Sequence, residues 1–118
     1  MQRPLNEFAE FICELSGYDK FMPSSTGVEA TEAAVKAARR WGYNVKGVEH
    51  DKAAVIFPRN GFWGRSITAT GASHDPKLYE GFGPYTPGFP LIDYNDLDAL
   101  ERKLQEDQNI VGYMMEPI

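Results

Sequence analysis

The sequence holds little from which a covalent or metal-bound framework could be built: among 118 residues there is one cysteine, Cys13, and two histidines, His50 and His74. One thiol cannot form an internal disulfide or supply a thiolate cluster, which fits a reducing compartment. Neither histidine has a second metal ligand or a nucleophile at a useful spacing, so both are expected at the surface or in loops, and no metal site is expected. No apolar run approaches the roughly 20 residues that span a bilayer. The opening residues, MQRPLNEF, lack a signal-peptide core and an arginine-rich transit pattern. Charge of one sign is not concentrated either. The formal net charge is −5 with acids and bases interleaved, which offers no basic surface to nucleic acid and little to an anionic membrane. Internal repeats and low-complexity tracts are also missing, which removes solenoids and propellers.

What is present is the composition of an ordinary globular chain, 25% charged and 13% aromatic, so disorder is excluded. The length suits one small domain or less, below the usual size of a two-layered cofactor enzyme. Leu5, Phe8, Ala9 and Ile12 fall at i, i+3, i+4 and i+7, and predict an amphipathic helix that Gly17 can end in a left-handed turn. A second helix is predicted over EATEAAVKAARRW, with Ala34, Ala37, Ala38 and Trp41 as its apolar face and Gly42 as its stop. Glu29 and Glu32 near its start, and Lys36, Arg39 and Arg40 near its end, complement the helix dipole.

Residues 53–57, AAVIF, are a short continuous apolar run before Pro58, as expected of a strand buried on both faces. The next thirty residues contain NGFWGRS, Asp75-Pro76 and GFGPYTPGFP, and are too aromatic for a flexible linker; they predict an ordered functional loop region. Leu91-Ile92 is a candidate short strand, and Asn95 can cap a helix running to about Gln105 with Leu97, Leu100 and Leu104 in register. NIVGYMMEPI is strand-like and stops without a turn signal. Strand, helix and strand in alternation demand a parallel sheet covered on both faces, and two or three strands would leave edges exposed. The expectation is a piece of a larger α/β domain.

Three constellations could carry chemistry. In SSTGVEA, hydroxyls and unpaired N–H groups at a helix start can face an anion such as phosphate while Gly27 admits close approach; alternatively Ser24, Ser25 or Thr26 only caps the helix. In NGFWGRS, two glycines bracket Phe62 and Trp63, with Arg65 following. That arrangement can stack a ring on a heteroaromatic group and bind a carboxylate bidentately, or it can be a core aromatic pair with a structural arginine. Glu116 in MMEPI stands at the C-terminal end of an apolar strand, where ligands of parallel sheets bind, or else is a solvent-facing edge carboxylate.

Taken in order, STGVEA, RRWGY, FWGRS, EGFGP, YNDLDALE and MEPI resemble the ornithine aminotransferase family, from about Phe8 to the last residue. The resemblance implies class III, fold-type I, pyridoxal-phosphate-dependent transferases, and makes residues 1–118 part of the cofactor-binding large domain, incomplete at its C-terminal end and at its N-terminal end. The implied fold is α/β, a parallel-rich sheet with flanking helices. The implied reaction moves the δ-amino group of ornithine to 2-oxoglutarate, giving glutamate 5-semialdehyde and glutamate, in ornithine and proline metabolism. The implied partners are small-molecule substrates (ornithine and a 2-oxo acid) and further copies in a homo-oligomer, with neither nucleic acid nor membrane, in the cytoplasm or mitochondrial matrix.

Carried over by position, the resemblance assigns Thr26, Gly27 and Val28 to the phosphate of pyridoxal 5'-phosphate. It assigns Phe62 to its ring, Glu116 to the acid near the cofactor, and Arg65 to the substrate α-carboxylate. Ser25 departs from the asparagine common among relatives. Neither Lys36 nor Lys46 stands in the motif of the cofactor-bearing lysine, so no catalytic residue is expected within this chain. Two other readings stand beside this one: another class III enzyme, such as one acting on acetylornithine, and a noncatalytic cofactor-binding or interaction module. Trp63 and GFGPYTPGF lean toward ornithine.

Overall fold

A computed structural model describes residues 3–117. Helix α1 spans Arg3–Ser16 and α2 spans Gly27–Trp41; strand β1 is Ala54–Pro58, and two short helices follow, α3 (Ile67–Gly71) and α4 (Pro76–Tyr79). Strand β2 is Leu91–Ile92, helix α5 is Leu97–Glu106, and strand β3 is Ile110–Tyr113. The three strands form a parallel sheet in the order β2-β1-β3, with Phe57 opposite Leu91 and Ala54 opposite Ile110. No described helix is long and apolar enough to cross a membrane.

β1 is central, and its side chains alternate between two cores. Val55 and Phe57 pack with Val35, Trp63, Ala69 and Ala72 on the α2 side. Ala54 and Ile56 pack with Ile92 and Ile110 on the other, where Ala99 and Leu100 of α5 cover them. Ile56 is fully buried. The period of two in a strand explains how one apolar run feeds two layers, and why the run is continuous rather than alternating.

The inward stripes of both core-covering helices share only Ala38 and Leu100 with the sequence expectation. In α2 the buried residue is Val35, with Ala38 half-buried beside it, while Trp41 is 48% exposed. α2 meets β3 at Ala38, whose Cβ would stand in ordinary contact, 3.6 Å, with a Cβ on Gly112. In α5 Leu97 is 74% exposed, and the inner stripe runs through Ala99 and Leu100. Its cap is Asp96, whose carboxylate accepts from the Ala99 N–H at 2.8 Å; Asn95 instead takes a left-handed φ of 60°.

α2 does end before Gly42, which caps it, but the chain does not turn away there. Gly42 stays right-handed at φ −55°, and the chain continues as a wider π-helical turn over Gly42–Lys46, ending at Gly47 with φ 80°. The physical reason for glycine at 42 is space, since a Cβ there would stand 2.2 Å from Cγ1 of Val111. The helix N-terminal to all of this, α1, has no buried residue and leaves Phe11 and Leu15 exposed. It is tied to the connection after it by the Phe8 ring, edge-on to Phe21 at 5.5 Å, and ends at Gly17 with φ 75° as expected.

Candidate functional site

The start of α2 is closed by a reciprocal cap. Thr26 is extended, its Oγ1 accepts from the Glu29 N–H at 3.3 Å, and the Glu29 carboxylate accepts from the N–H groups of Ser25 (2.8 Å) and Thr26 (3.0 Å). The next amide, Ala30, donates to the Thr26 carbonyl at 3.2 Å. A helix start exposes four amides without intrahelical partners. The cap engages Glu29, and the N–H groups of Gly27 and Val28 have no acceptor among the described residues. Thr26 caps the helix, and the cap leaves the two amides next to it without an acceptor. Nothing lies within 4 Å of where a Gly27 Cβ would stand.

The segment after β1 lies against this helix start. Gly64 takes φ +134°, a conformation for glycine, and a Cβ on it would be 2.7 Å from Cγ2 of Val28. Two further ties hold the segment to α2. The Thr31 hydroxyl lies 2.7 Å from the Trp63 carbonyl and 2.9 Å from the Val28 carbonyl, with one proton to offer the two, and the Ser66 hydroxyl donates to the Glu32 carboxylate. Ser66 also caps α3, accepting from the Ala69 N–H at 3.1 Å.

Burial separates the aromatic pair. Trp63 is core, with its ring centroid 5.8 Å from Phe57 and 5.4 Å from Phe89. Phe62 points the other way and is 54% exposed. Arg65 is also exposed and forms no salt bridge among the described residues. Phe62 and Arg65 line a cleft of about 490 Å³ that Ile67, Thr70, Lys77 and Phe82 help to close.

Glu116 meets Phe62 across 54 residues of sequence: its carboxylate accepts from the Phe62 N–H at 3.2 Å. Its own carbonyl accepts from the Tyr94 hydroxyl at 3.0 Å. It is thus no free edge carboxylate. On the same strand end, burial and then the neighbouring Tyr94 push the Tyr113 phenol above its ordinary range. His74 lies in a loop, where its Nδ1 accepts from the Asn60 N–H (3.1 Å); His50 lies at the surface beside Asp51. Lys46 donates to the Ile110 carbonyl at 2.6 Å and so serves the fold. The ties through Thr31, Glu32, His74 and Tyr94 were invisible in the sequence, apart from one signal: Asn60-Gly61 is a turn pair, and a turn needs anchors.

A family model described as aminotransferase class III matches residues 1–118. The chain belongs to the class-III aminotransferase family. Among curated class-III relatives, it is 54% identical over 114 residues to the mitochondrial ornithine aminotransferase of Rattus norvegicus, covering 97% of this chain and 26% of that protein. Among solved structures, an ornithine aminotransferase of Toxoplasma gondii with partial occupancy of PLP at its active site superposes with a TM-score of 0.92 at 46% identity, covering 96% of this chain and 26% of that one. The acetylornithine aminotransferase of Elizabethkingia anophelis superposes with a TM-score of 0.75 at 41% identity, covering 100% of this chain and 28% of that one. The chain thus spans about a quarter of the length of the relatives it matches. The α/β architecture expected of the sequence, a parallel sheet with flanking helices, is the one these neighbours share.

Proposed function

We propose that this chain forms part of the cofactor-binding large domain of an ornithine aminotransferase, in which it holds pyridoxal 5'-phosphate and the α-carboxylate of the amino donor. The observation that carries the reading is the pair of unpartnered amides at Gly27 and Val28, in contact through Gly64 with the loop that presents Phe62 and Arg65. The donor set fits the cofactor. Two amides at the positive end of a 15-residue helix suit a phosphate dianion, the bare Cα of Gly27 admits it, and the exposed Phe62 face suits a pyridine ring. When bound, pyridoxal phosphate supplies the electron sink for amino-group transfer.

The chain's own residues do the binding and orienting. Thr26 and Glu29 fix the helix start so that the amides converge without rearrangement. Arg65 takes the substrate carboxylate as a bidentate fork, which leaves the amine at the far end of the substrate to reach the cofactor. Glu116 holds the Phe62 backbone and so sets the height of the ring. The reading extends to a 2-oxo acid as amino acceptor, to a homo-oligomeric enzyme, and to the cytoplasm or mitochondrial matrix; the mitochondrial relatives support the last.

The test uses the full-length enzyme that carries this segment. Transamination of ornithine with 2-oxoglutarate is expected, and Arg65→Ala should raise KM for ornithine by about ten- to a hundredfold, the range for losing charge-assisted hydrogen bonds. A wild-type preference for acetylornithine in a donor panel would favour the second reading, which the likeness to the Elizabethkingia anophelis enzyme supports.

A further inference from the structure

Three consecutive residues of the turn after β1 are each held by a residue from a different, distant segment. The Asn60 N–H donates to Nδ1 of His74, 14 positions later, at 3.1 Å. Gly61 rests against the Tyr94 hydroxyl, which would lie 3.0 Å from a Cβ at that position, as would the edge of Phe57. The Phe62 N–H donates to the Glu116 carboxylate, whose backbone carbonyl is in turn held by the same Tyr94 hydroxyl at 3.0 Å. Asn60 itself takes a left-handed φ of 65°, which asparagine tolerates better than most residues but which needs outside support to persist.

Asn60 and Phe62 carry no buried apolar side chain. An exposed turn of that kind belongs by default to the least stable part of a protein. Yet the exposed ring of Phe62 and the guanidinium of Arg65 follow within five residues, and their positions inherit whatever freedom the turn has. The buried ring of Trp63 anchors the far side of Phe62, but burial does not reach Asn60 or the Phe62 ring itself, so their direction is left to hydrogen bonds.

We propose that His74 and Tyr94 are positioning residues that preset the turn carrying Phe62 and Arg65. His74 does so by accepting from the Asn60 N–H, and Tyr94 by filling the space under Gly61 while fixing Glu116. Neither side chain is assigned a contact with cofactor or substrate. His74 is placed by the start of α4, where Asp75 caps and Pro76 opens the helix. Tyr94 is placed by the link between β2 and α5. Accepting at Nδ1 requires that nitrogen to offer its lone pair to the Asn60 N–H. The gain is preorganisation: a turn ordered before binding spares the ligand the entropy of ordering it.

The role in binding rests on the function proposed above; the order of the turn does not, and the experiment separates the two. Amide hydrogen exchange over residues 59–65 is measured on the full-length enzyme with cofactor removed, and KM and kcat for ornithine are measured on the loaded enzyme, for wild type, His74→Ala, His74→Asn and Tyr94→Phe. Exchange over β1 serves as the internal control for folding. In His74→Ala and Tyr94→Phe, exchange over 59–65 should quicken with β1 unchanged, and KM should rise about two- to tenfold, the range one hydrogen bond supports, with kcat moving less. His74→Asn, whose side-chain oxygen can replace Nδ1 as acceptor, should return both readouts toward wild type. Unchanged exchange over 59–65 in both disrupting variants, or a His74→Asn protein no nearer wild type than His74→Ala, overturns the proposal. A wild-type enzyme inactive on ornithine whose turn still responds to the variants overturns the assigned function and leaves the turn lock standing.

Discussion

β1 and the turn that follows it are consecutive in sequence and are held by opposite means. Every residue of Ala54–Pro58 is buried, and these side chains alternate between two apolar layers without a polar side chain among them. The turn from Arg59 to Ser66 exposes most of its side chains, is anchored by the single buried ring of Trp63, and is otherwise held by hydrogen bonds from residues as far away as Glu116. Burial is non-directional and roughly proportional to area, so it locates a strand but leaves small rotations cheap. Hydrogen bonds weaken steeply when misaligned, so they fix direction. A strand needs only to be inside; a ring meant for a ligand must face one way.

The contrast can be broken most directly at its apolar side. Ile56→Ala should lower the unfolding free energy of the full-length enzyme by about 2–5 kcal/mol in urea titration, because Ile56 is fully buried and the site cannot collapse around a lost branch. A cost near zero would mean that β1 is not the centre of the core. Next in size is Gly64→Ala, which combines a φ of +134° with a Cβ 2.7 Å from Val28. It should cost about 1–3 kcal/mol and also weaken pyridoxal-phosphate binding in a fluorescence titration, since the loop must back away from the helix start. Loss of stability with unaltered cofactor affinity would show that the contact serves folding only.

Thr26→Ala removes the cap and should cost about 1 kcal/mol, with Thr26→Ser close to wild type. Equal thermal midpoints for all three proteins would rule out a stabilising cap. The smallest effect belongs to Tyr113. Its folded-state phenol is raised above the ordinary 10.0 by burial first and Tyr94 second, so the unfolded chain gives up its proton at lower pH. The contribution is therefore fully present below about pH 10 and is lost as pH rises through the folded value. Tyr113→Phe should flatten that part of the decline in a stability profile taken through the alkaline range, and an unchanged slope would remove Tyr113 as its source.

The parts of the fold that were legible in advance share a cause. AAVIF could be read as a doubly buried strand because its apolar run is longer than any amphipathic face requires, and Gly17 could be read as a helix stop because its surroundings are local. The stripe of α2 was misplaced toward Ala34, Ala37 and Trp41 because an alanine-rich helix offers several apolar stripes of similar quality. Which one turns inward depends on the partner surface, here the bare backbone of Gly112 and the side chain of Val111. Gly42 looked like a terminator for the same reason: lack of a side chain signals either backbone freedom or lack of room, and only the neighbour at 2.2 Å tells which. At the candidate site, Thr26, Gly27, Val28, Phe62, Arg65 and Glu116 all stand in motifs whose residue types suggest a ligand, whereas His74 stands in none and Tyr94 opens YNDLDALE with nothing local to say what its hydroxyl holds.

By itself the sequence determined the class of the fold, a strand buried on both faces, the hydroxyl cluster from which the cap of α2 is drawn and the residue types suited to an anion, a flat ring and a carboxylate. All of these follow from period, propensity and chemistry within a few neighbouring residues. Only the tertiary structure decided which helix stripe is buried, that Trp63 goes inward while Phe62 faces out, and that the Asn60–Phe62 turn is held from three places. Those outcomes turn on contacts between segments distant in sequence, from 14 residues for Asn60 and His74 to 54 for Phe62 and Glu116 and further for Ala38 and Gly112, where shape and hydrogen-bond direction select among arrangements that local sequence leaves equal.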